Sequence, residues 1–246
     1  MKKAFRFIYI LFSVAIIGIC LYGIYSFFTV PSKAIESQKE IENMIRENQE
    51  ESEKLKEKQK ELSGAYDNNN EALYNLYENA AQMHITAIGD SVMVSALPEL
   101  QAEFPNSYFD AKFGRTIYEG IEVLKKLEAE NSIGEAVIFS LGANSYIQEE
   151  DCEELIKHCN GKPTFWITTY GVTNDSNEKM TAVVARHDNA FMIDWETLAM
   201  QHPGWILSDH LHPNREGSAA YADLLNEVIT EKLLRPVEAS GDEKGC

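Results

Sequence analysis

Ile85-Thr86-Ala87-Ile88-Gly89-Asp90-Ser91-Val92 carries a short apolar run through a glycine, an aspartate and a serine, and an amphipathic stretch follows over 92–104. A buried strand that turns directly into a helix has this texture. The texture recurs along the chain. Apolar runs at 85–88, 108–112, 136–141, 164–168 and 190–193 alternate with helical patterns at 92–104, 118–130, 149–158, 178–186 and 215–234. Such alternation predicts β-α units, hence an α/β fold, with a parallel five-stranded sheet inside a three-layer α/β/α sandwich. In open sheets of this kind, ligands bind beyond the carboxyl ends of the strands, and the polar motifs of this chain fall there. No internal repeat is visible.

Upstream of this unit the composition changes twice. Residues 7–30 hold no charge, and 24 residues at about 1.5 Å each are long enough to cross a bilayer of roughly 30 Å. Lys2, Lys3 and Arg6 precede the apolar run, whereas Lys33 and Glu36 nearly cancel after it, so the N-terminus is expected in the cytoplasm and the rest outside. A cleaved signal ending at Ser32-Lys33-Ala34 is the alternative, disfavoured because the run exceeds a usual signal core. A lipoprotein anchor at Cys20 is weaker still, since Ile19 precedes it and the apolar run continues. Residues 36–63 are mostly Glu, Lys, Gln and Asn, good helix formers with little to bury, and read as a stalk. Ile41, Leu55 and Leu62 share a heptad position that Asn48 interrupts, so a solvated single helix is favoured over a stalk-mediated dimer. Residues 71–82 are expected to form a short helix leading into the domain. The expected organisation is a cytoplasmic stub and transmembrane anchor at 1–31, a charged helical linker at 32–82, the α/β domain at 83–235 and a disordered tail at 236–246.

Positions 64–246 hold 12 basic and 30 acidic residues, a formal −18 within a chain total of −17. That field repels polyanions, which argues against nucleic acid and anionic lipid as partners and favours a neutral or polysaccharide substrate. Cys152 and Cys159 lie seven apart. On one continuous helix that is about 10 Å along the axis, too far to bridge unless the helix ends near His158.

Ser91 falls where the first strand meets a helix, so its hydroxyl can be exposed while its N–H sits at a helix N-terminus. Ser91 as an ordinary N-cap is the simpler reading of the tripeptide taken alone. Context argues otherwise. Ser208-Asp209-His210-Leu211-His212-Pro213 lies before the last helix, and a three-residue offset lets the Asp209 carboxylate fold back to the His212 imidazole. A serine hydroxyl needs a histidine to take its proton and a carboxylate to fix that histidine's tautomer. Ser91, Asp209 and His212 are therefore the candidate catalytic residues. Gly114 follows the second strand and Asn144 the third. The N–H groups of Ser91 and Gly114 with the Asn144 amide would converge as an oxyanion hole. Arg115 and His210 are candidates for substrate contact. Metal binding by Asp209, His210 and His212 is a rival, disfavoured because no fourth ligand is near and the known zinc spacings are absent. No cofactor is expected.

At Ser91, Gly114, Asn144 and His212 the chain resembles the SGNH (GDSL-like) hydrolase superfamily, whose four blocks supply Ser, Gly, Asn and His in that order. The likeness covers roughly residues 84–234 and implies the SGNH/flavodoxin-like form of the sandwich. Within the superfamily, Ile-Gly-Asp-Ser-Val-Met, Asp110-Ala111-Lys112-Phe113-Gly114-Arg115 and Ile193-Asp194-Trp195 are similar to the extracytoplasmic domains of bacterial peptidoglycan O-acetyltransferases of the acyltransferase-3-linked branch. The resemblance implies an acyl-enzyme on Ser91 and acetyl transfer to a sugar hydroxyl or to water at the bacterial cell surface. The larger family members carry a multi-span acyltransferase in the same chain. Here one span precedes the stalk, so an acetyl donor would come from a separate multi-span membrane protein. Gly142-Ala143-Asn144-Ser145 and the segment 168–173 depart from the relatives' pattern and leave acceptor specificity open. A plain carbohydrate acetylesterase is the alternative enzyme. A non-catalytic surface scaffold is the alternative from another class.

Overall fold

The structure, a computed structural model, describes residues 77–234. The expected anchor at 1–31, the stalk before residue 77 and the tail at 236–246 lie outside the described residues. Among the described residues no helix is long and apolar enough to cross a membrane.

Five parallel strands form one sheet in the order β2-β1-β3-β4-β5, with β1 at Ile85–Gly89, β2 at Tyr108–Ala111, β3 at Ala136–Ser140, β4 at Thr164–Ile167 and β5 at Ala190–Ile193. β1 and β3 are buried at every position, as a sheet covered on both faces requires. Alternate side chains of each strand enter different cores. Ala87, Ile138, Phe165 and Ile167 pack with helices α1 (Ser91–Glu103), α5 (Trp195–Gln201) and α6 (Arg215–Leu233). Ile88, Val137, Phe139 and Trp166 pack with α2 (Ile117–Ala129), α3 (Glu149–His158) and α4 (Ser176–Val184). These are the three layers that the alternating pattern implies.

The sequence reading misses α5. Asp194 caps α5 by accepting from Thr197 N at 3.0 Å, while Trp195 and Ala199, four apart, turn inward. Seven residues are too few for a clear helical period. Of the helix expected over 71–82, the described part holds one 3-10 turn, Ala80–Gln82. This segment packs with the domain: Ala80 is buried and its N–H donates to Thr230 Oγ1 at 2.9 Å. α3 does end at His158, yet Cys152 and Cys159 remain separate buried thiols. Burial pushes the Cys152 thiol up to about 12, and raises Cys159 as well, so neither is a ready nucleophile.

Candidate functional site

Gly89 at the end of β1 is in register with Ala111 of β2 and with Ser140 of β3, so β2, β1 and β3 end level. The ladder runs on briefly, Asp90 N donating to Ser140 O at 2.8 Å and Lys112 N to Gly89 O at 3.1 Å. The loops that begin at Asp90, Lys112 and Leu141 therefore leave the sheet at one edge. That edge is also where the strand order reverses about β1, the usual crevice of an open α/β sheet.

Asp90, which sequence reasoning passed over, organises the crevice. It is the N-cap of α1, its Oδ1 accepting from Val92 N at 3.0 Å, and its Oδ2 accepts from Ala143 N at 2.9 Å. One carboxylate thus ties the Ser91 turn to the loop that carries Asn144. Because Asp90 takes the cap, Ser91 is the first helical residue and its hydroxyl is not consumed by capping. A short aspartate just before an amphipathic run is a recognised start signal and could have pointed to this residue. Burial pushes the Asp90 carboxyl up to about 6, against the two N–H donors and the charges of His212 and Arg115. Its protonated form thus stabilises the fold fully below the ordinary carboxylate value, and that contribution is lost as pH rises to about 6, on the order of 3 kcal/mol. Asp90→Asn keeps one acceptor and turns an amide N–H₂ toward the other N–H donor. It is expected to destabilise the protein more at pH 4 than at pH 7. Urea unfolding of both proteins at the two pH values checks this; equal losses would contradict it.

The second half of the candidate site lies before α6. Asp209 Oδ2 pairs with His212 Nδ1 at 2.8 Å, while Oδ1 accepts from the N–H groups of Leu211 at 3.0 Å and His212 at 3.1 Å. Burial alone would raise the Asp209 carboxyl, but the His212 side chain and these two backbone donors bring it below its ordinary value. The pair therefore has an ionised carboxylate at neutral pH, holding the proton on Nδ1 and leaving Nε2 as acceptor. His212 Nε2 is buried and has no hydrogen-bond partner in the protein. The ring stands 6.3 Å from the Phe113 ring, and a second proton on it would lower the carboxyl of Asp90, the neighbour of Ser91. Ser91 is 4% exposed, and no hydrogen bond joins its hydroxyl to His212.

Gly114 has φ +66°, the left-handed region that a glycine enters freely, and both Gly114 and Asn144 are exposed on their loops. Arg115, a candidate substrate contact, is turned largely inward. It is 5% exposed, its guanidinium donates to Gly89 O at 3.3 Å, and it pairs with Asp110 through side chain and carbonyl. Arg115 therefore ties the ends of β1 and β2 together from beneath. His210 is exposed at φ +61°, and its carbonyl lies against Gly171, where an added Cβ would come within 2.1 Å. The loop after β4 thus braces the Asp209 to His212 turn, a contact that no local signal announces. Among the described residues, no three His, Cys, Asp or Glu side chains converge in the manner of a metal site.

No family model matches the chain. It is 28% identical over 148 residues to YrhL of Bacillus subtilis strain 168, named as a candidate peptidoglycan O-acetyltransferase, covering 59% of this chain and 23% of that protein. Over 148 residues it is also 28% identical to the peptidoglycan O-acetyltransferase OatA of Listeria monocytogenes, covering 59% of this chain and 24% of that one. The chain thus spans about a quarter of the length of the curated relatives it matches. The solved C-terminal catalytic domain of Streptococcus pneumoniae OatA, carrying a methylsulfonyl adduct, superposes with a TM-score of 0.54 at 20% identity, covering 62% of this chain and 96% of that domain. By fold the chain is similar to that solved domain, and by sequence to the two O-acetyltransferases.

Proposed function

We propose that this chain is a membrane-anchored, extracytoplasmic serine esterase or O-acyltransferase that handles O-acetyl groups of cell-envelope carbohydrate. The observation that carries the reading is the Asp209–His212 pair, whose outer nitrogen is buried and unpartnered at the sheet edge from which the Ser91 turn leaves. In the proposed cycle His212 Nε2 takes the proton of Ser91 Oγ as that oxygen bonds to the acyl carbon. The Ser91 and Gly114 N–H groups and the Asn144 amide stabilise the oxyanion, and losing one such donor costs about 10²–10³ in rate. His212 then protonates the departing oxygen of the donor, leaving an acyl ester on Ser91. A sugar hydroxyl or water next gives its proton to His212 and attacks the acyl carbon. The Ser91 oxygen leaves and recovers that proton. The names of the curated relatives support peptidoglycan as the acceptor.

The uncharged run at 7–30 supports a single span with a cytoplasmic N-terminus and a catalytic domain at the bacterial cell surface. A separate multi-span acyltransferase would then supply the acetyl group. The charge of −17 supports a substrate that is not polyanionic.

Incubating the full chain with an activated acetyl ester and glycan oligomers is expected to yield acetylated glycan; acetate alone would assign hydrolysis. A sulfonyl fluoride is expected to modify Ser91, read by peptide mass spectrometry, and to abolish turnover, while chelators leave turnover unchanged. Full activity with Ser91 modified, or loss of activity to a chelator, would overturn the reading.

A further inference from the structure

Among the described residues, five large apolar side chains stand exposed: Phe113, Tyr118, Tyr146, Met200 and Leu207. Three of them are aromatic, and all three belong to the two segments that present Gly114 and Asn144. Phe113 directly precedes Gly114, is 37% exposed, and holds its ring 6.3 Å from that of His212. Tyr146 follows Asn144 by two residues and is 77% exposed. The segments are joined by Ile117 N donating to Ser145 Oγ at 2.8 Å, so Tyr118 and Tyr146 each adjoin one end of that bond. Exposed aromatics on two joined segments beside a crevice are a common mark of a binding surface.

Resting on the function proposed above, we propose that Phe113 and Tyr146 form a stacking rim on which a pyranose ring of the acceptor glycan lies, presenting a hydroxyl to the crevice. A pyranose offers an apolar face of C–H groups and a polar edge. Aromatic rings bury such a face at small entropic cost, and the tyrosine hydroxyl remains in water. A bilayer is the other partner that exposed aromatics suit. The charge of the chain disfavours an anionic membrane surface, and a glycan bears no such conflict.

The test uses the full chain bearing Ser91→Ala, so that binding is read without chemistry, with chitotetraose as the probe in calorimetry. Phe113→Ala combined with Tyr146→Ala is expected to weaken Kd by roughly tenfold or more, and Phe113→Tyr with Tyr146→Phe to restore it. A thermal melt confirms that each variant folds. Unchanged affinity in the double alanine variant, or no binding in the parent, overturns the rim. Loss of binding to phosphatidylglycerol–phosphatidylethanolamine vesicles with chitotetraose binding intact also overturns it, in favour of a membrane contact. Failure of the rim is separable from failure of the enzymatic reading, which the turnover of Ser91→Ala alone decides.

Discussion

Ser91→Ala and His212→Ala are each expected to lower turnover of the purified chain on a simple acetyl ester by at least ~10³, and the double variant to lose little more. In the proposed cycle the two side chains act as one unit. Without the imidazole, Ser91 keeps its proton at neutral pH and is a poor nucleophile; without the hydroxyl, the base has nothing to activate. The structure gives this expectation its physical footing, because His212 Nε2 is buried and lacks a partner whereas Nδ1 is fixed by Asp209. A buried imidazole nitrogen left unmatched is costly, and a site that spends stability in this way leaves a group available to the substrate. Steady-state kinetics on the two single variants and the double decides the matter. Turnover within tenfold of wild type in either single variant, or losses that multiply in the double, would sink the assignment.

Asp209→Asn is expected to cost nearly as much, about 10²–10⁴ in kcat, while leaving the loop folded. The amide oxygen can go on accepting from the N–H groups of Leu211 and His212, which keeps the turn. Its N–H₂ then faces Nδ1 of His212, and the ring proton moves to Nε2. The general base is lost without being removed. Asp209 is half exposed, so water competes for the ring, and the loss is expected nearer the lower figure. The depressed carboxyl of Asp209 fixes the sign of the pH dependence: its pairing is present above the ordinary carboxylate value and fades as pH falls through its lowered one. Measuring kcat against pH for wild type and Asp209→Asn tests this, since only wild type has that acid limb. Near-wild-type turnover would remove Asp209 from the machinery.

Much of the fold was legible because its signals are local. The strands at 85–88, 108–112, 136–141, 164–168 and 190–193 appear within a residue of those expected, since a strand buried on both faces must be apolar throughout. Helix α2 was equally plain, with a capping box at Thr116 and Glu119 and Leu124 and Leu127 turned inward. Helix α5 was not, because its short inward face lacks a full period. The pairing of Asp209 with His212 could be read from a three-residue offset. The inward turn of Arg115 could not, because a guanidinium beside an exposed loop glycine looks the same in sequence whether it faces solvent or the carbonyls beneath.

By itself the sequence determined the layer order, the parallel sheet and the candidate residues that end on its carboxyl edge, because periodicity, strand length and cap chemistry act over a few residues. Tertiary structure alone decided that Asp90 anchors the Ala143 loop, that Gly171 braces the carbonyl of His210, and that Phe113 stands beside His212. Those contacts join loops separated by tens of residues, and their geometry follows from strand register and close packing, which no local window contains.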